Sequence, residues 1–296
     1  MKVVEVHAND HTFPFYLFVP ADAKKPVPAF VWVENELYMG KTDFERSIDY
    51  EFLPVSRILS RGYAVAVMPV YYVSPDWVHH AEFKKGVFSA MEDPKHRTDR
   101  SWATISGWAL GMSLILDYME TDQDIDHLKV TAIGHSRGGK TALWAGATDQ
   151  RFALVISNSS GCTGAAYTRG KKGEHIKDIN ISDWFCENYQ RFNDREDMLP
   201  VDQHMLLAAI APRPLYVKSD VEDEWSDPEA ELKSAKLASA VYELYGMKGL
   251  VMEEEIPVLS KKYHEGTIGY HLAPGDHNLT IFDWDCYMDF ADQKLK

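Results

Sequence analysis

Residues 130–147, VTAIGHSRGGKTALWAGA, place a serine where it could act as a nucleophile. Gly134-His135-Ser136-Arg137-Gly138 reads G-x-S-x-G, follows an apolar run of strand character and leads into an alanine-rich segment of helical character. That succession describes a nucleophile elbow, a tight strained turn that lifts a serine hydroxyl above the end of a sheet. Glycines belong on either side because side chains there would collide with the neighbouring strand and helix. An ordinary strand-to-helix turn whose serine only caps the helix carries the same letters. A serine hydroxyl is a weak nucleophile at neutral pH and needs a base that is itself held by a carboxylate, so the rest of the chain must supply both.

In α/β-hydrolase order the acid and then the base follow the serine, and this chain has both. After the strand-like RPLYVKSD comes the carboxylate-rich VEDEWSDPEAE, and after GTIGYHLAP comes Gly275-Asp276-His277-Asn278. Chain order points to His277 as the base. His264 sits in the polar stretch KKYHEG, and His271 lies within the apparent strand, where a structural role is more natural. The acid has five candidates, Asp220, Glu222, Asp223, Glu224 and Asp227. A carboxylate reaching back to the histidine belongs a few residues into the loop, which favours Asp223, with Glu222 next.

The elements that must position these groups alternate along the chain. Residues 3–7 and 13–20 are strand candidates around an Asn9-Asp10 turn signal, and 26–34 and 62–72 are short β-branched and aromatic runs of the kind buried strands show. Between those two runs, residues 44–61 have helical spacing that ends at Gly62. Helical spacing over 100–120 is followed by a buried strand at 128–135, a helix from about 138, strand 152–160, the helix-like MLLAAIAP and strand 213–220. Alternating βα units with apolar strands predict an α/β fold, a mostly parallel central sheet with helices on both faces and the two N-terminal strands as an antiparallel edge. Residues 161–202 exceed a normal βα loop and read as an insertion over the site or a surface excursion of a single domain spanning 1–296.

Composition narrows the function. At 296 residues, 45% hydrophobic and 26% charged, the chain has apolar material for a large core. A formal charge of -14 opposes nucleic-acid binding, which needs clustered Lys and Arg. Cys162, Cys186 and Cys286 show neither a disulfide framework nor metal-ligand spacing, so no metal or cofactor is expected. No apolar run has the length of a membrane span. The N-terminal residues lack a basic start, apolar middle and small-residue cleavage site, which predicts a cytoplasmic location, or a secreted one if a leader has been removed.

The residues also resemble a family. G-H-S-R-G-G-K, Trp184-Phe185, the run MLPVDQHMLLAAIAPRPLYV, W-S-D-P and G-D-H-N with Asp283-Trp284 and Phe290-Ala291-Asp292 are similar to the glucuronoyl esterases, serine hydrolases of carbohydrate esterase family fifteen. The resemblance runs from about residue 107 to the C-terminus, and S-R-x-G-K is much more specific than G-x-S-x-G. It implies the α/β-hydrolase fold, Ser136 as nucleophile, His277 as base and Arg137 as oxyanion-hole residue through its N–H and guanidinium. It also implies Lys140, Trp225 and Trp184 as sugar-contacting residues, although Trp184 and Phe185 can equally anchor the insertion. Where fungal members carry a triad glutamate in an E-S-G context, this chain has Ser159-Ser160-Gly161, which passes the acid role to the loop holding Asp223.

These observations predict a serine carboxylic ester hydrolase whose partner is a small-molecule or oligosaccharide ester, either a 4-O-methyl-glucuronoyl ester or an acetylated sugar. A broad acyl esterase or deacetylase is the nearest alternative. A non-catalytic carbohydrate-binding homologue is the alternative from another class.

Overall fold

The computed structural model describes residues 1–22, 26–35, 49–76, 86–179 and 184–295. Its strands are β1 (Lys2–Ala8), β2 (His11–Phe18), β3 (Val27–Glu34), β4 (Asp49–Tyr50), β5 (Leu53–Pro54), β6 (Ala64–Pro69), β7 (Ile125–His135), β8 (Leu154–Asn158), β9 (Leu215–Asp220) and β10 (Ile268–Ala273). Its helices are α1 (Val55–Ser60), α2 (Val70–Val73), α3 (Val87–Met91), α4 (Thr104–Met119), α5 (Arg137–Thr148), α6 (Ile176–Ile179), α7 (Gln203–Ala208), α8 (Pro228–Leu244) and α9 (Ile281–Leu295).

The central strands are largely apolar because both of their faces are covered. Successive side chains still alternate. Phe30 and Trp32 of β3 pack with Val65 and Val67 of β6 against Ile58 of α1 and Trp284, Tyr287 and Phe290 of α9. Val31, Val33, Ala66 and Met68 point the other way, into a core with Trp108 and Met112 of α4. A third cluster joins Val217 of β9 to Leu232, Ala235 and Tyr242 of α8.

The eight-stranded sheet runs in the order β1-β2-β6-β3-β7-β8-β9-β10. β1 pairs antiparallel with β2, and β2 with β6, whereas every pairing from β6 to β10 is parallel. This is the α/β-hydrolase arrangement the sequence predicts, with its antiparallel edge. The Asn9-Asp10 turn closes the first hairpin between paired Ala8 and His11, and Asn9 takes the positive φ of 51° that such a turn asks for. Because the parallel strands share one direction, their C-terminal ends line a single edge, where open α/β sheets bind ligands.

The structure differs from the sequence reading in several elements. In the helix predicted over 44–61, residues 44–48 lie outside the described residues, β4 and β5 occupy 49–54, and only α1 is helical, stopping where Gly62 turns to φ 84°. The strand predicted over 62–72 ends at Pro69, and Val70–Val73 forms a turn of helix instead. The acidic segment read as loop is loop only to Asp227, whose side chain caps α8 by accepting from the Ala230 N–H at 3.0 Å, with Pro228 in the first turn. No helix of the described residues is long and apolar enough to cross a membrane.

Trp284 tests this packing. It is fully buried, its ring centroid lies 5.5 Å from Phe30 and 5.8 Å from Trp32, and its Nε1–H donates to the Phe52 carbonyl at 2.9 Å. Trp284→Ala is expected to lower unfolding free energy by about 3–5 kcal/mol in urea titrations; a loss under about 1 kcal/mol would contradict the packing described.

Candidate active site

Between the end of β7 and the start of α5 a single residue, Ser136, turns the chain at φ 56°, ψ -125°. A non-glycine residue there costs on the order of 1–3 kcal/mol and persists only when its surroundings over-determine it. They do so here: the Ser136 N–H donates to the Asn158 carbonyl of β8 at 2.9 Å, and the Ser136 carbonyl accepts from the N–H groups of Gly139 and Lys140. A Cβ on Gly134 would lie 2.2 Å from the Gly138 carbonyl oxygen, and one on Gly138 would lie 3.0 Å from Asn35 Oδ1. Gly134 is therefore required by close backbone approach, and Gly138 sits tightly against the Asn35 and Val33 side chains. Ser136 lines a cavity of about 280 Å³ together with Lys140, Glu174, Trp184, Trp225 and His277.

His277 reaches that cavity from the loop after β10. Its Nδ1–H donates to Asp223 Oδ2 at 2.6 Å, and Asp223 Oδ1 accepts from the Ser226 N–H at 2.9 Å, so the carboxylate is fixed before it meets the imidazole. Asp223 is buried, whereas Glu222 is exposed, which separates the two acid candidates. With Nδ1 committed, Nε2 is the ring nitrogen left to accept a proton. Burial disfavours the His277 cation, but the hydrogen bond and charge of Asp223 more than offset it, and the imidazole is held above its ordinary pKa. Burial pushes Asp223 up as well; its bonds to His277 and Ser226 win, and it stays below the ordinary carboxylate range.

The other two candidate bases, His264 and His271, are consumed structurally. His264 Nε2 and His271 Nδ1 each lie 2.9 Å from Tyr216 Oη, and His271 Nε2 lies 2.7 Å from Asp283 Oδ1. One proton arrangement satisfies the chain: His264 donates to the tyrosine, the tyrosine to His271, and His271 to the carboxylate. His135, inside the G-x-S-x-G motif, packs its ring 4.4 Å from that of His277 and accepts at Nδ1 from the Asn158 amide at 2.6 Å. Burial, followed by the neighbouring charge of His277, holds His135 well below the ordinary range and hence neutral.

The remaining acid candidates also have other partners. Asp220 is buried against Lys218 and accepts from Ser159 Oγ at 2.7 Å, Asp227 is the α8 cap, and Glu224 is exposed.

The residues expected to meet a sugar are distributed unevenly. Trp225 lines the cavity with 56% of its surface exposed. Trp184 lines the same cavity but is buried, and its Nε1–H donates to Asp76 Oδ1 at 2.8 Å, so it both walls the cavity and anchors the insertion. The Arg137 guanidinium donates to Asp76 Oδ2 and to the Asn35 carbonyl, both at 2.8 Å, so it braces the end of β3 against Asp76. Lys140 is buried and spends its three N–H bonds on Ser160 O, Cys162 O and Glu174 Oε2, at 2.7, 2.8 and 2.9 Å.

Glu174 is a cavity residue that sequence reasoning missed. Its Oε2 also accepts from the Cys162 N–H at 3.1 Å, while Oε1 has no hydrogen-bond partner among the described residues. Glu174 sits in the insertion within TRGKKGEHIKD, where nothing in spacing or pattern marks one carboxylate out. The insertion is tied over the site: the Glu174 N–H donates to the Trp225 carbonyl at 2.8 Å, and a Cβ at Gly173 would lie 2.2 Å from the Glu224 carbonyl oxygen. Among the described residues, no group of three or more His, Cys, Asp or Glu is placed to hold a metal ion.

Known proteins resemble this chain in sequence and in fold. A family model described as glucuronyl esterase, fungi, matches residues 4–246. A carbohydrate esterase from an unknown prokaryotic organism is 40% identical over 310 residues, covering 94% of this chain and 70% of that one. The 4-O-methyl-glucuronoyl methylesterase 1 of Wolfiporia cocos is 34% identical over 161 residues, which is 51% of this chain and 40% of that protein. Among solved structures, the glucuronoyl esterase from Solibacter usitatus matches with a TM-score of 0.90 at 34% identity, over 100% of this chain and 82% of that one. A promiscuous CE15 esterase from a marine bacterial metagenome matches with a TM-score of 0.84 at 38% identity, over 96% of this chain and 77% of that one.

The electrostatics of the pair can be measured without any substrate. In NMR titrations the His277 imidazole is expected to titrate above the ordinary 6.5, and Asp223→Asn to bring it below its wild-type value. An imidazole that titrates identically in both proteins would show that Asp223 does not hold it.

Proposed function

The chain belongs to the glucuronyl esterase family, serine hydrolases of carbohydrate esters with the α/β-hydrolase fold, and from that premise we propose that it cleaves a uronic-acid ester through Ser136, His277 and Asp223. The observation that carries the reading is the 2.6 Å bond between Asp223 and His277 at a cavity that Ser136 shares.

Ser136 Oγ attacks the ester carbonyl as His277 Nε2 takes its proton, and Asp223 holds the tautomer that leaves Nε2 free to do so. Charge develops on the carbonyl oxygen beside the first N–H of α5, that of Arg137. A helix N-terminus favours an anion at this point, and a preorganised donor favours the tetrahedral intermediate over the neutral ester. The Arg137 guanidinium, tied to Asp76 and the Asn35 carbonyl, sets the end of β3 against the elbow and adds positive potential. His277 then passes its proton to the leaving alcohol, and water cleaves the acyl-enzyme by the same steps in reverse.

The sugar belongs on the acyl side, because the groups suited to a saccharide share the serine's own cavity. The exposed Trp225 face covers a ring at little entropic cost, and Glu174 Oε1 accepts from a sugar hydroxyl. Lys140, bonded to Oε2, aims that carboxylate rather than contacting the sugar itself. Support for this substrate class comes from the relatives named as 4-O-methyl-glucuronoyl methylesterases.

Steady-state kinetics check the reading. Ser136→Ala is expected to lose at least about 10³-fold in kcat on methyl glucuronate, and Asp223→Asn on the order of 10³- to 10⁴-fold at the pH plateau. Because the base works neutral and its pKa is raised, wild-type kcat/KM should climb with pH through a midpoint above 6.5, and Asp223→Asn should move that limb to lower pH. Glu174→Gln should raise KM about tenfold for the sugar ester and leave an aryl acetate unaffected. Equal weak turnover of methyl glucuronate and acetylated xylo-oligosaccharides would favour a broad acyl esterase instead.

A further inference from the structure

Beneath the His277 loop lies a buried ion pair that the triad does not use. Lys218 and Asp220 sit two residues apart on one face of β9, essentially without solvent exposure, with Nζ against Asp220 Oδ1. A buried pair of this kind recovers little or none of the cost of desolvating two charges, so what it is bonded to matters more than the pair itself. Two of its other bonds meet at Asn278, the residue after the histidine. Lys218 Nζ donates to the Asn278 carbonyl at 2.7 Å, and the Asn278 N–H donates to Asp220 Oδ2 at 3.3 Å.

The same carbonyl accepts from the Asn158 side-chain amide at 3.0 Å, while the Asn158 main-chain carbonyl accepts the Ser136 N–H at 2.9 Å. Asn158 thus grips the nucleophile elbow with its backbone and the histidine loop with its side chain. Lys218 and Asp220 hold that loop from the adjacent strand. The Ser159 N–H donates to the Lys218 carbonyl at 2.9 Å, and Ser159 Oγ donates to Asp220 Oδ2, which closes the network across β8 and β9.

We infer that Lys218 and Asp220, acting with Asn158, are positioning residues that set the His277 backbone in register with Ser136 for proton transfer. Asp223 orients the ring; this pair fixes the peptide that carries it. The inference rests on Ser136 and His277 being nucleophile and base. A displacement of about 1 Å between reacting groups costs on the order of 10²-fold in rate, so loss of the framework should appear in the chemical step rather than in substrate binding.

The test is Lys218→Met/Asp220→Asn, which removes both charges together and leaves no buried charge unpaired. Active sites are titrated with a fluorophosphonate, so that any misfolded fraction drops out of the rate. The expected result is a fall of about 10- to 100-fold in kcat per titrated site on methyl glucuronate. KM should stay within about twofold, and the rate constant for fluorophosphonate labelling should fall in parallel with kcat. Asp220→Asn alone, which leaves the Lys218 charge buried without its carboxylate, should give a loss of kcat per titrated site at least as large. A merely structural pair would lower the melting temperature and the titratable fraction but leave kcat per site and labelling rate at wild-type values, which would overturn the inference; so would a rise in KM at constant kcat. Failure of the underlying assignment would look different, since wild-type Ser136 would then resist labelling or Ser136→Ala would still turn over.

Discussion

Ser136 holds a backbone conformation that L-residues avoid, and the surrounding structure is arranged so that it cannot relax. Gly134 and Gly138 leave room for the turn, and the hydrogen bond from Ser136 N–H to the Asn158 carbonyl ties it to the neighbouring strand. The parallel register does the rest. His135 pairs with Asn158, Asn158 with Lys218, and Asp220 with Ala273, so the ends of β7, β8, β9 and β10 arrive side by side. The loops that follow carry, respectively, Ser136; the Ser160 and Cys162 carbonyls that hold Lys140; Asp223; and His277. A one-residue slip in any pairing would send those side chains to the opposite face.

A chain with a formal charge of -14 keeps its active-site region locally balanced. Arg137 meets Asp76, Lys140 meets Glu174, Lys218 meets Asp220 and His277 meets Asp223. Each partner offsets a desolvation cost that an isolated buried charge would bear in full. The exception is Glu231, fully buried, where burial raises the carboxyl to about 7 while the Ser219 hydroxyl and the Gly161 N–H bond to it. Fixed, paired charges in a closed site do not reorganise during reaction, which is the condition under which electrostatic stabilisation of a transition state is strongest.

The reach of sequence reasoning followed the physics of each feature. Local signals with a single structural solution were readable: the glycine-flanked serine, the Asn9-Asp10 hairpin, the apolar strands and the order serine, acid, histidine. Asp223 was separable from Glu222 only by depth in a loop, and the structure makes the distinction through burial. The α8 start was written as Asp227-Pro228 followed by two acidic residues in the first turn, yet the density of carboxylates hid the cap. α9 was not read as a helix at all, although Trp284, Tyr287 and Phe290 form its buried face. Glu174, Asp76 and Asn158 act through contacts 23 to 120 residues away in sequence, and no periodicity reports a partner of that kind. Lys140 shows the converse: its position in S-R-G-G-K was legible, but its three internal acceptors emerge only when the insertion folds over it.

The central claim is covalent catalysis at Ser136 with the uronoyl group on the serine. Methyl glucuronate turned over by the enzyme, quenched in acid within the first turnover and digested for peptide mass mapping, tests it directly. The account predicts a uronoyl adduct on the peptide spanning residues 130–137, at the serine, absent in Ser136→Ala. Turnover with no adduct on that peptide under trapping conditions, or an adduct on another residue, would contradict it.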